Sequence, residues 1–210
     1  MSLFLGKIHY WLYNKIIWAE KAEEEIVKWA ANRGLAAEQW QQLFIEVYGQ
    51  PTGNRALEKI IDTSNIHGWL QERIRSAELR QAALITTILA EDNKFKADLI
   101  EIFKKQGQAA AQEYAARPET PEGMYNAIND FILEGMPCDR ASEMVFNDNK
   151  DELVWKISTS LHEPYWKQAK GDVKNFYELR EAWIASFVEA INPEFHYNKT
   201  KDGEYSIIRK

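Results

Sequence analysis

The sequence predicts an α+β protein that is predominantly α, with an N-terminal helical body of five to six helices followed by a small antiparallel sheet and a covering helix. Three observations carry this. Through residues 1–135 apolar side chains recur near the 3.6-residue period of a helix. From Glu152 the pattern changes to Leu153, Trp155 and Ile157, an alternation that sends every second side chain to one side of a strand. The chain then closes on Phe195-His196-Tyr197, a turn at Lys201-Asp202-Gly203 and Tyr205-Ser206-Ile207-Ile208, the signature of a hairpin. Residues 1–135 are expected as the helical body and 136–210 as sheet plus helix, packed as one globular unit with a seam near Arg117 to Pro121.

The elements follow in order. A first helix is expected from Leu3 to Ala31 through Leu5, Ile8, Leu12, Ile16, Ala19, Ala22, Ile26 and Trp29. Its first half is apolar almost all round, with Tyr10, Trp11, Tyr13, Ile17 and Trp18, so several neighbours or a second copy of the chain must bury it. A second helix runs from Ala36 to Tyr48 through Trp40, Leu43, Phe44 and Val47, and Gly49 with Pro51 stops it. Thr52 is placed to cap a short helix with Leu57, Ile60 and Ile61, and Ser64 a long one carrying Ile66 through Ile88. A further helix with Phe95, Leu99, Ile102 and Phe103 is expected to end near Gly107. Thr120-Pro121-Glu122 opens another, because a hydroxyl cap precedes Pro at the first helical position, and Gly135-Met136-Pro137 is its expected stop. Met144 and Phe146, the turn Asn147-Asp148-Asn149-Lys150, and a strand from Glu152 to about Ser160 form an expected hairpin. A polar and aromatic corner at Leu161-His162-Glu163-Pro164-Tyr165-Trp166 follows. The covering helix carries Phe176, Leu179, Ala182, Trp183, Phe187 and Ile191 and ends at Asn192-Pro193.

Composition narrows the function classes. A formal charge of -6 and no contiguous basic run give no electrostatic basis for nucleic acid, whose binding needs Lys and Arg to neutralise phosphates. Uncharged stretches such as Gln81 to Ala90 fall far short of the roughly 20 apolar residues that span a bilayer. Lys7 interrupts the apolar start before a signal-peptide core forms, and a cytoplasmic protein is the expectation. The single Cys138 excludes zinc and iron–sulfur patterns that need several thiolates. With no His-Glu-x-x-His, Glu-x-x-His or His-x-His, no metal site is expected, and no cofactor, since neither a phosphate loop nor a dinucleotide fingerprint is present.

Trp166-Lys167 after the strand, Asn192-Pro193 after the helix, and Thr200 with Gly203 in the last hairpin give the stretch Leu153 to Arg209 a recognisable order. In that order it resembles the C-terminal part of the aminothiazoline-carboxylate hydrolase-like family, small bacterial proteins whose named member opens a sulfur-containing heterocycle. The resemblance implies a pocketed helix-plus-sheet protein for a small ligand. Where that family often carries Cys, this chain has Ser160, no Cys between Ala182 and Ala185, and Ser206-Ile207, so no thiol role carries over.

The candidate site centres on His162 and Glu163, since a strand end places polar groups at a mouth and an imidazole with an ordinary pKa of about 6.5 exchanges protons at neutral pH. Tyr165, Trp166 and Trp155 are candidates for an aromatic wall, with His67 and Asp139 as further ligand contacts. Burial in the core is the competing role for the aromatics. Cys138, after Gly-Met-Pro, is a candidate nucleophile, although a lone Cys is commonly a small buried hydrophobe. The expected function is small-molecule binding, with hydrolysis of a cyclic or carboxylate substrate in a pocket between helices and sheet; His162 would be the base. The alternative is a non-catalytic sensor or interaction module that uses the apolar first helix, as a homodimer or with another partner.

Overall fold

Two 26-residue helices, α1 (Lys7–Asn32) and α3 (Ile66–Glu91), form the backbone of the first of two compact units in the computed structural model, which describes residues 5–139, 141–145, 149–200 and 203–210. The first unit comprises Met1–Lys96 with His162–Val173, and the second comprises Ala97–Leu161 with Lys174–Lys210. Among the described residues there are seven α-helices and one four-stranded antiparallel sheet, a predominantly α, α+β architecture as the sequence predicts.

In the first unit α1 packs on α3, and α2 (Ala37–Tyr48) packs on both. Leu12, Ile16 and Ile26 of α1 and Leu70, Ile74 and Ile88 of α3 are all buried in the core of this unit. Most of α1's extra apolar residues are absorbed within the chain: Tyr13, Ile17 and Trp18 are buried, while Ile8 and Tyr10 remain exposed. Lys15 joins them by laying its ammonium over the Trp11 ring, 3.6 Å from its centroid. The predicted start at Leu3 lies outside the described residues; from Gly6, whose N–H donates to His9 Nδ1 at 2.9 Å, the helix is regular. At the end of α2, Gly49 takes the left-handed φ of 105° that a side chain would resist.

Two predicted caps are used differently. Thr52 begins no α-helix, because its N–H and hydroxyl both donate to buried Glu20, and the helix expected there is only a 3-10 turn at Leu57–Lys59. α3 is capped by Asn65, whose Oδ1 accepts from Gly68 N, while Ser64 turns back to Asp62. The aromatic corner is a short helix, α6 (Glu163–Gln168), with Pro164 in its first turn, and it packs on α3.

In the second unit α4 (Phe95–Glu113) runs past its expected end at Gly107. That glycine is interior and marks a close approach instead: a Cβ there would sit 2.4 Å from the carbonyl oxygen of Trp183 on α7 (Val173–Ile191). α5 (Pro121–Asn129) has the predicted Thr120 cap and Pro, but ends six residues before Gly135. The strands β1 (Ser142–Val145), β2 (Glu152–Ile157), β3 (Phe195–Lys199) and β4 (Glu204–Arg209) pair in the order β1-β2-β4-β3. Phe146, expected on the first strand, and the expected turn residues Asn147, Asp148, Lys201 and Asp202 lie outside the described residues. β2 stops at Ile157 rather than Ser160, since Ser158 and Thr159 N–H groups both turn to the Ala141 carbonyl. Register sets Trp155 opposite Tyr205, and Tyr197 opposite Ile207, on one face of the sheet. α5 covers that face through Tyr125, whose ring stands edge-on to Trp155 at 5.0 Å.

Candidate functional site

The residues singled out from sequence fall into two groups by unit. His162, Glu163, Tyr165, Trp166 and His67 belong to the first unit, and Cys138, Asp139 and Trp155 to the second. His162 precedes the first turn of α6 and is 1% exposed, with Nδ1 2.9 Å from Glu78 Oε1 of α3. That geometry orients an imidazole by a carboxylate. Glu163 is exposed on the same turn, Tyr165 is half-buried, and Trp166 is in the core. His67 is exposed on α3, its ring 5.5 Å from that of His9. Cys138 is exposed in a 3-10 turn where Asp139 accepts from Met136 N at 2.8 Å, and the thiol lies 3.9 Å from the Asp139 carboxylate. Trp155 is buried against Tyr205 at 5.9 Å. Among the described residues no three His, Cys, Asp or Glu side chains converge as metal ligands.

A different cluster emerges in the second unit, around an arginine that sequence reasoning passed over. Arg180 occupies a core position of α7, four residues after Phe176 and three before Trp183, both buried. A cation on an apolar stripe was the available signal. Its side chain is held in place by Glu134, whose Oε2 accepts from Nη2 at 2.6 Å. The residue is 9% exposed, and its Nε and Nη1 are buried with no acceptor among the described residues. Guanidinium carries five N–H donors, and leaving such groups dry and unpaired is strongly unfavourable.

The charge of this guanidinium reaches three tyrosines. Tyr197 from β3 and Tyr205 from β4 both feel its charge, and so does Tyr177 one turn earlier on α7. The Tyr197 hydroxyl is itself buried without a hydrogen-bond partner among the described residues. Burial pushes the Tyr197 phenol far above its ordinary range, with Arg180 opposing, so it stays neutral and can donate or accept. Burial likewise raises Tyr177, whose hydroxyl lies 2.9 Å from Ser160 Oγ. For Arg180, burial works most strongly against the charge, but Glu134 together with Tyr197 and Tyr205 more than offsets it and the pKa is raised. Because Tyr197 is neutral, Glu134 supplies the charge balance. Beside them the rings of Trp155, Tyr205 and Tyr197 stack across three strands, Tyr197 and Tyr205 at 6.2 Å and an interplanar angle of 16°. Lys199, the nearby cation on β3, donates to Glu181 and is drawn to Tyr205.

Chemically, the buried donors of Arg180 and a neutral phenol have the complementarity that an acceptor group such as a carboxylate or carbonyl requires. No family model, no curated protein and no solved structure matches the chain.

Proposed function

We propose that the protein binds a small organic molecule, carboxylate-bearing in the first instance, whose oxygens accept from Arg180 in the second unit. The observation that carries this reading is the pair of buried Arg180 groups, Nε and Nη1, without acceptors. Buried polar groups are nearly always partnered, and a ligand oxygen would supply the partner that the described residues do not. The Tyr197 hydroxyl adds a third polar contact, and the aromatic rings beside it favour a planar or cyclic body.

The test is a thermal-shift screen of small carboxylates, including acetate, benzoate, thiazoline carboxylates and amino acids, on the wild type and Arg180→Gln. A ligand at ten times its Kd stabilises by about 1.4 kcal/mol, or roughly 5 °C for a unit of this size. That shift should vanish in Arg180→Gln. Equal shifts in both proteins, or none in either, would sink the reading. Consumption of a stabilising ligand, followed by NMR, separately decides whether binding leads to hydrolysis.

A second reading, self-association, is favoured by α2, where Leu43 and Val47 lie one turn apart and are 52% and 60% exposed. A mass that doubles with concentration in the wild type and stays single in Leu43→Glu would establish it.

A further inference from the structure

We infer that a carboxylate bound at Arg180 enters together with one proton, taken up from solvent and shared between the ligand and Glu134. This rests on the binding reading above. Glu134 already lies on Nη2 at 2.6 Å, and the side chains of Arg180 and Glu134 are only 10% and 14% exposed. A second carboxylate on Nε or Nη1 of the same guanidinium would set two negative charges against one positive charge, out of water. Two carboxylates sharing a site do not both remain ionised easily, and one of them holds a proton.

Among the described residues, the other groups whose charge reaches the cluster do not relieve the imbalance. On α7, Tyr177 is a neutral phenol and Glu181 is a negative charge already balanced by Lys199. On β3, Tyr197 is held neutral by burial, and Lys199 is taken by Glu181. On β4, Tyr205 brings another phenol. Thus Arg180 is the one cation facing the ligand whose donors are not all taken among the described residues. The ligand class follows: monocarboxylic acids, captured as the ion plus a proton, and their uncharged amides, which need no proton. Affinity for the acid should therefore weaken with rising pH while affinity for the amide stays level.

The experiment is calorimetric titration of the full chain with acetate and benzoate, and with acetamide and benzamide, from pH 5.5 to 8. Each acid is repeated at each pH in two non-phosphate buffers of different ionisation heat, MES and Bis-Tris at the acid end and HEPES and Tris at the alkaline end, so that the difference reports protons taken up. The expected result is uptake approaching one proton and a Kd for the acids at least tenfold weaker at pH 8 than at pH 5.5. The amides should change less than twofold. In Glu134→Gln the acids should bind without that pH dependence. Arg180-dependent binding of the acids with no proton uptake and a flat pH profile would overturn the proton coupling and leave the site standing. Binding of none of the four probes, or binding unchanged in Arg180→Gln, would overturn both.

Discussion

Among the described residues each unit buries one arginine beside glutamate, and the two are satisfied to different degrees. Arg80 in the first unit is 0% exposed, and Nε, Nη1 and Nη2 all have acceptors: Nε donates to Glu23, Nη1 to the Gly49 carbonyl and Ser76, and Nη2 to Glu20. These bonds tie α1, α3 and the end of α2 together, and Glu20 also holds Thr52. In the second unit Arg180 has Glu134 on one nitrogen and no acceptor on the other two. The difference teaches how to separate scaffold from site. A buried charge whose every donor ends inside the protein fixes geometry, while one with donors left over is positioned for something that arrives later.

The most severe way to break the comparison is Arg80→Ala, which leaves Glu20 and Glu23 buried without their cation. A loss of about 3 to 5 kcal/mol is expected, read by hydrogen exchange on α1 and α3 peptides. A loss below about 1 kcal/mol would mean that the network is decorative. Next is Gly107→Ala in the second unit, where the new Cβ would press within 2.4 Å of the Trp183 carbonyl and 2.6 Å of Ser186 Oγ. Displacing that backbone should cost about 1 to 3 kcal/mol, seen as faster exchange in α4 and α7. Unchanged protection there would show that the two helices can part without consequence.

A third test uses pH. Burial raises the pKa of Glu23, with Arg80 opposing, so the native state holds its proton to higher pH than the unfolded chain. The contribution is therefore favourable below the unfolded value and is lost as pH climbs through the folded one. Stability of the first unit should fall with pH over that window, and Glu23→Gln should flatten the slope. Parallel slopes in wild type and variant would remove Glu23 as the cause.

The fold class was legible because it depends on periodicity, and Leu153, Trp155 and Ile157 state the switch to strand without help from the rest of the chain. Helix ends were less legible where a side chain had two possible partners. Thr52 is a good cap on paper, but Glu20, thirty-two positions away, claims its hydroxyl and N–H. Gly107 looks like a terminator, yet it serves an approach to α7 that no local rule contains. His162 was found for its chemistry, and the structure pairs it with Glu78, eighty-four positions away. The Arg180 cluster escaped notice because its members come from α7, β3, β4 and the loop after α5, and singly they are ordinary residues. Their one local trace is a charge where the apolar stripe calls for a hydrophobe, a trace that Glu20, Glu23 and Arg80 share.

The smallest expected effect on stability is also the sharpest test of the comparison. Arg180→Met with Glu134→Gln removes both charges of the second unit's pair while keeping its bulk. If the pair were scaffold like Arg80 with its glutamates, losing it would loosen α7 and the β3–β4 hairpin together. A buried ion pair replaced by neutral groups of similar volume is often neutral or stabilising, because the desolvation of two charges disappears along with their attraction. Here the gain is favoured further, since two unpaired donor groups are removed as well. The double variant should unfold within about 1 kcal/mol of wild type and show no response to any carboxylate. A large loss of stability would make Arg180 a structural residue like Arg80; unchanged stability with the ligand response gone would leave recognition as the reason the charge is there.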